Sequence, residues 1–163
     1  DYAKSWLLLQ QYDEGSLEIP KKKQAGTSLT YEQTLGAIEE LKLDLVSKKE
    51  AGDLFGMERE RGLNRILGAI EQSFGGKAMY ESAESKAAHL LYFVIKDHPL
   101  LDGNKRIGSF LFILYLSRND LLFTKEGERK INPNALVALA LLIAESNPNE
   151  KDTMMALILN LLG

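Results

Sequence analysis

Apolar residues recur along this chain at the three-and-four spacing of helices, and no series of alternating strands interrupts them. Ala3, Trp6, Leu7 and Leu9 mark a short opening helix within Tyr2–Tyr12. Asp13 to Ser28 is polar, carries Gly15, Pro20 and Gly26, and reads as a loop or linker. Thr30-Tyr31-Glu32-Gln33 fits a capping box: the Thr30 hydroxyl accepts from one orphan N–H, and Gln33 reaches back to another. Leu35, Ile38, Leu41 and Leu45 follow at helical spacing, and Leu63, Ile66, Leu67, Ile70 and Phe74 make a second stripe. Gly75 and Gly76 end that stripe, so Phe74–Tyr80 is expected to hold a tight turn and a short strand. Ala83, Ala87, Leu90, Leu91 and Val94 resume the helical period, which stops before Pro99.

Beyond Pro99, Ile107, Phe110, Leu111 and Leu114 form one apolar face, while Phe112, Ile113, Tyr115 and Leu116 fill the others. A helix apolar all round is a buried one, so this segment is expected at the centre of the molecule. Asn132-Pro133 is a start signal for Ala135–Ala144, again apolar all round, and an amphipathic helix from Asn149 or Glu150 to Leu162 closes the chain. The pattern predicts an all-α helical bundle around a buried central helix, with a small β-hairpin before residue 83. Residues 1–29 form an N-terminal helix and linker, the end of a preceding region, and residues 30–163 a single domain.

Composition changes this picture little. A chain of 163 residues, 45% hydrophobic and 26% charged, supports one core. The apolar run Phe110–Leu116 falls far short of the roughly 20 residues of a membrane helix. Lys4 is followed only by Trp6–Leu9 before Gln10 and Gln11, which is no signal peptide. With no cysteine, disulfides and thiolate metal sites are excluded, and a cytoplasmic location is expected. The net charge of −3 argues against a nucleic-acid binder, and Lys21-Lys22-Lys23 reads as a solvated loop. The first residue is Asp1 rather than methionine, as in a piece of a longer protein.

Chemistry concentrates in one loop, His98-Pro99-Leu100-Leu101-Asp102-Gly103-Asn104-Lys105-Arg106. The proline turn ends one helix, and Asp102-Gly103-Asn104 is a turn and cap for the next. With Asn104 at that entry, the first free N–H groups of a buried helix form an anion site strengthened by the helix dipole. Lys105 adds a point charge, and Arg106 a planar fork that fits phosphate oxygens. Asp102 cannot bind phosphate directly but suits a Mg²⁺ that bridges to it. His98 supplies an imidazole, the side-chain type most often used as a general base. Singly, each residue fits a capped helix with solvated charges. Their crowding within nine positions against an apolar helix fits phosphoryl or nucleotidyl transfer better.

The same nine residues resemble the Fic/Doc (fido) signature, whose usual form is His-Pro-Phe, two residues, Gly-Asn, Gly or Lys, then Arg. The likeness extends over about residues 30–145 and makes 30–163 a Fic/Doc catalytic domain. It implies a nucleotide-dependent transferase, acting as a toxin or a regulator, that uses ATP or another nucleoside triphosphate with Mg²⁺. Its partner would be a target protein offering a Ser, Thr or Tyr hydroxyl. His98 would be the general base and Asp102 the Mg²⁺ ligand. Gly103, Asn104, Lys105 and Arg106 would hold phosphate, and Lys77, Ala78, Met79 and Tyr80 would be a flap that pins the target by strand addition. Leu100 replaces the usual phenylalanine and keeps an apolar anchor. Lys105 and Ser109 stand where many AMP-transferring members have glycine and a second arginine. Doc-like members share Asn-Lys-Arg, which favours phosphorylation over AMPylation. A self-inhibiting Ser/Thr-x-x-x-Glu motif is incomplete at Ser28/Glu32 and at Thr124/Glu128, which points to a separate inhibitory partner or to a segment outside this sequence.

Other features weigh less. His89 would face away from His98 at about 100° per helical residue, which disfavours a two-His metal site. Gly75-Gly76-Lys77 lacks the rest of a P-loop. Arg59, Arg61 and Arg65 could put a positive stripe on one helix with one of them facing the site, but interleaved with Glu58 and Glu60 they read rather as a solvated face. A catalytically silent nucleotide- or partner-binding helical module stays open as a second reading.

Overall fold

The computed structural model describes residues 28–163. The expected Tyr2–Tyr12 helix and all but the end of the linker lie outside the described residues. Helix α1 (Tyr31–Ser47) opens the described chain, followed by α2 (Gly62–Ile70), a hairpin of β1 (Ser73–Phe74) and β2 (Lys77–Ala78), α3 (Ala83–Asp97), α4 (Asn104–Arg118) and α5 (Pro133–Glu145). A short 3₁₀ turn, Pro148–Glu150, leads into α6 (Lys151–Leu162). The fold is all-α with one small hairpin, as the periodicity predicts.

Both sequence-level start signals operate. Gln33 N–H donates to Thr30 Oγ1, and Thr30 N–H donates to Gln33 Oε1, each at 3.1 Å. Ala135 N–H donates to Asn132 Oδ1 at 2.8 Å, with Pro133 in the first turn. Helix α4 is the centre: Ile107, Phe110 to Leu114, Tyr115 and Leu116 are all buried. It packs back against α3 through a short loop, and Gly108 lets the Val94 and Ile95 side chains come close. Helix α5 departs from expectation. It is not buried all round, for Val137 and Leu141 are 61% and 50% exposed while Leu136, Leu139, Ala140 and Ile143 face the core.

The hairpin turns on Gly75 and Gly76, both at positive φ, with Ser73 opposite Ala78 and Phe74 opposite Lys77. Its root is anchored. Glu71, just past α2, accepts from the buried Tyr115 hydroxyl at 3.0 Å and pairs with Lys86 at 2.9 Å. Burial, followed by the Glu71 charge, pushes the Tyr115 phenol well above its ordinary range. The folded state therefore holds that proton more tightly than the unfolded chain does. Stability is complete below the ordinary phenol pKa of about 10 and falls as pH rises beyond it. Chemical denaturation between pH 8 and 11 should show this loss, and Tyr115→Phe should flatten it.

Candidate active site

The Pro99–Gly103 turn is held from below by an irregular segment, residues 48–61, between α1 and α2. Arg59 N–H donates to Pro99 O at 2.7 Å, Leu101 N–H to Met57 O at 2.8 Å, and Gly56 N–H to Asp102 O at 3.0 Å. Backbone bridges thus pair Phe55 with Asp102 and Glu58 with Leu100. Glu58 is no solvated charge. Its carboxylate accepts from the Leu63 N–H at 2.9 Å at the start of α2, and from the Tyr31 hydroxyl.

His98 ends α3 in the left-handed conformation, φ 50° and ψ 59°, and its ring is exposed. Its Nδ1 lies 3.2 Å from Lys96 O. Lys96 itself reaches the end of α5, donating to Ser146 O at 2.5 Å. This contact ties the stem of the histidine to a second helix.

The entry to α4 differs in one detail from the sequence reading. Gly103, at φ 88°, is the capping residue, and Asn104 is the first residue of the helix. The Asn104 side chain turns back on the loop: it accepts from Leu100 N–H at 3.0 Å and donates to Leu100 O at 2.9 Å. Its amide is thereby spent on the shape of the turn. The first backbone bond of the helix runs from Ile107 N–H to Gly103 O. The N–H groups of Asn104, Lys105 and Arg106 are left ahead of it without intrahelical acceptors. The dipole end of a buried helix thus opens on the loop.

His98, Asp102, Gly103, Asn104, Lys105 and Arg106 line one cleft of about 450 Å³, with Ile95, Leu101 and Ala144 as apolar walls. The Asp102 carboxylate is exposed, and neither a hydrogen bond nor an ion pair ties it to another of the described residues. Among the described residues, no group of three or more His, Asp or Glu forms a metal cage. A carboxylate without a partner among the described residues, beside a helix entry with open N–H groups, could hold Mg²⁺, a cation that takes most of its ligands from phosphate and water.

This geometry meets an independent finding. The family model described as Fic/DOC family matches residues 28–116, more than half of the chain. The chain belongs to the Fic/DOC family. Members are generally transferases that use a nucleoside triphosphate, typically with Mg²⁺, to modify proteins. No curated protein and no solved structure matches the chain significantly. The family match takes in the signature loop, the hairpin and the whole of α1 to α3. No described helix is long and apolar enough to cross a membrane.

A larger cleft of about 670 Å³ opens on the other side of His98, between α2 and the end of α3. Arg59 and Arg65, both exposed, line it, with Ile66, Ala69 and Phe93 as its apolar wall. Arg61 is elsewhere, its guanidinium 5.2 Å from the centroid of Tyr31. The two clefts share His98 and Leu101. Neither includes a residue of Lys77–Tyr80 in its walls, and the link to the hairpin is α2, which walls the larger cleft and runs into β1. Lys77 pairs with Glu81 at 3.1 Å, Met79 is exposed, and Tyr80 stacks on His89 with centroids 3.7 Å apart. His89 is thus a buried packing residue whose Nδ1 lies 2.7 Å from Ser85 O.

Proposed function

We propose that this Fic/DOC domain transfers a phosphate-containing part of ATP, or of another nucleoside triphosphate, to a Ser, Thr or Tyr hydroxyl of a target protein. The observation that carries the reading is the convergence of His98 and Asp102–Arg106 on one cleft at the dipole end of a buried helix. Phosphoryl transfer needs little covalent help from the protein. It needs positioned charge and a base. His98 takes the proton of the attacking hydroxyl as that oxygen bonds to phosphorus and the bond to the nucleotide leaving group breaks. The backbone amides at Gly103–Arg106 and the Arg106 fork hold the phosphate oxygens, Asn104 keeps the turn in shape, and Lys105 adds charge. Asp102 would hold Mg²⁺, which neutralises phosphate charge when bound. Residues Lys77–Tyr80 form the flap that takes the target backbone by strand addition, and the two clefts meeting at His98 suit a reaction between two substrates.

We favour γ-phosphoryl transfer over AMP transfer. Lys105 puts a side chain where an open glycine would let phosphate approach the backbone. Ser109, in place of a second arginine, donates its hydroxyl to Lys105 O at 2.9 Å and offers no further cation. Glu32 lies in the first turn of α1 and Thr124–Glu128 forms a turn, not a helix. Neither lines the cleft, so these two sites do not supply a self-inhibiting glutamate.

Incubating the protein with lysate, Mg²⁺ and ATP labelled at the α- or the γ-phosphate tests this reading. Label from γ alone is the expected result. Label from α means nucleotidyl transfer, and no label from any of the four nucleoside triphosphates favours a silent binding module.

A further inference from the structure

The strongest unassigned contact lies beneath the signature loop. Phe55 is completely buried, although it belongs to the irregular segment between α1 and α2. Its ring fills the space beside Gly103 so closely that a Cβ there would lie 2.5 Å from Cε2 and 2.6 Å from Cδ2. The Arg106 guanidinium carbon stands 5.0 Å from the centroid of the same ring, within cation–π range. Arg106 Nη1 also donates to Glu50 O at 3.1 Å, so platform and acceptor come from one segment.

Arg106 stands between two openings. It lines the phosphate cleft, and it also lines a groove of about 420 Å³ between α1, α4 and α5, walled by Leu41, Leu45, Val137 and Leu141 with Glu50 at its edge. A long arginine stem readily covers apolar surface of that kind. The planar guanidinium on a ring face, with one N–H spent on Glu50 O, keeps its other donors free at the helix entry.

We propose that Phe55 is a positioning residue of the transferase site: its ring holds the Arg106 guanidinium at the rim of the phosphate cleft, between that cleft and the apolar groove. The assignment rests on the reading of that cleft as a nucleotide site. It extends the functional unit to a residue about 50 positions upstream of the arginine it serves.

The test is a double-mutant cycle on affinity for a non-hydrolysable ATP analogue with Mg²⁺. Phe55→Leu should weaken binding about three- to tenfold, the range of a partly desolvated cation–π contact. Arg106→Ala should weaken it further, and adding Phe55→Leu to Arg106→Ala should then change affinity less than twofold. An equal loss in both backgrounds would overturn the proposal, because general packing damage does not depend on Arg106. Should Phe55→Leu melt below the assay temperature, the same cycle with the flexible Phe55→Met decides the question in the same way. An analogue that fails to bind even the unaltered protein would reject the nucleotide reading and this one with it. Additivity would reject only the role of Phe55.

Discussion

His98→Ala should lower transfer by at least a hundredfold and leave the melting temperature within a few degrees. The size of the kinetic loss is that of removing a general base, about 10²–10⁴-fold. The small structural cost follows from the position of the residue. Its ring is exposed, its one described hydrogen bond is to Lys96 O, and the apolar fold closes without it. The backbone at φ 50° adds a condition. Alanine in the left-handed region is strained by about 1 kcal/mol, whereas asparagine tolerates it, so His98→Asn should be equally inactive and slightly more stable. Rates from label incorporation and melting curves from circular dichroism check both halves. Full activity in either variant would remove His98 from the mechanism.

Gly103→Ala should do the opposite: damage the structure and the site together. Two separate strains meet there. The φ of 88° is glycine's, and the new methyl would press on Phe55 at 2.5 Å. Phe55 cannot yield easily, because it is sealed in the core and its backbone pairs with Asp102. Overpacking and backbone strain each cost about 1–3 kcal/mol, so a loss of roughly 2–6 kcal/mol is expected. Urea titration reads the stability. Loss of affinity for a nucleotide analogue, measured well below the melting point, reads the anion site. A Gly103→Ala protein with unchanged stability would mean that the turn is far softer than its packing indicates.

The helices are legible in the sequence because each carries a period or a cap. Thr30 and Asn132 announce their starts, and the all-apolar run from Phe110 to Leu116 announces the centre. The same criterion fails for α5, since apolar composition cannot tell a buried face from an exposed Val137 and Leu141. The signature loop is legible as a local unit: all its ionisable residues fall within one stretch and converge on one cleft. The support beneath it is not. Leu54-Phe55-Gly56-Met57 has neither helical nor alternating period, and its pairing with Pro99–Asp102 crosses more than 40 residues of chain. Arg59 and Arg65 are only half legible for a similar reason: the sequence allows one of the three arginines to face the site without saying which. Interleaved charges look alike whether they face solvent or the mouth of a cleft, and only the packing of α2 against α3 decides. Asn104 lies one position inside the helix rather than at its cap, a difference that turns its side chain onto the loop.

The bridges from Gly56, Arg59 and Leu101 also bear on the order in which the molecule assembles. Helices α3 and α4 are neighbours in sequence and can form a hairpin early, but the loop between them gains its backbone partners only when the distant 48–61 segment docks. An isolated α3–α4 hairpin would carry every residue of the signature and yet lack a fixed turn for the proposed anion site. Native-state hydrogen exchange would display this hierarchy. The amides of Gly56, Arg59 and Leu101 should exchange together, through one cooperative opening of the 48–61 segment, while those of Lys105 and Arg106 exchange fast until a ligand covers them.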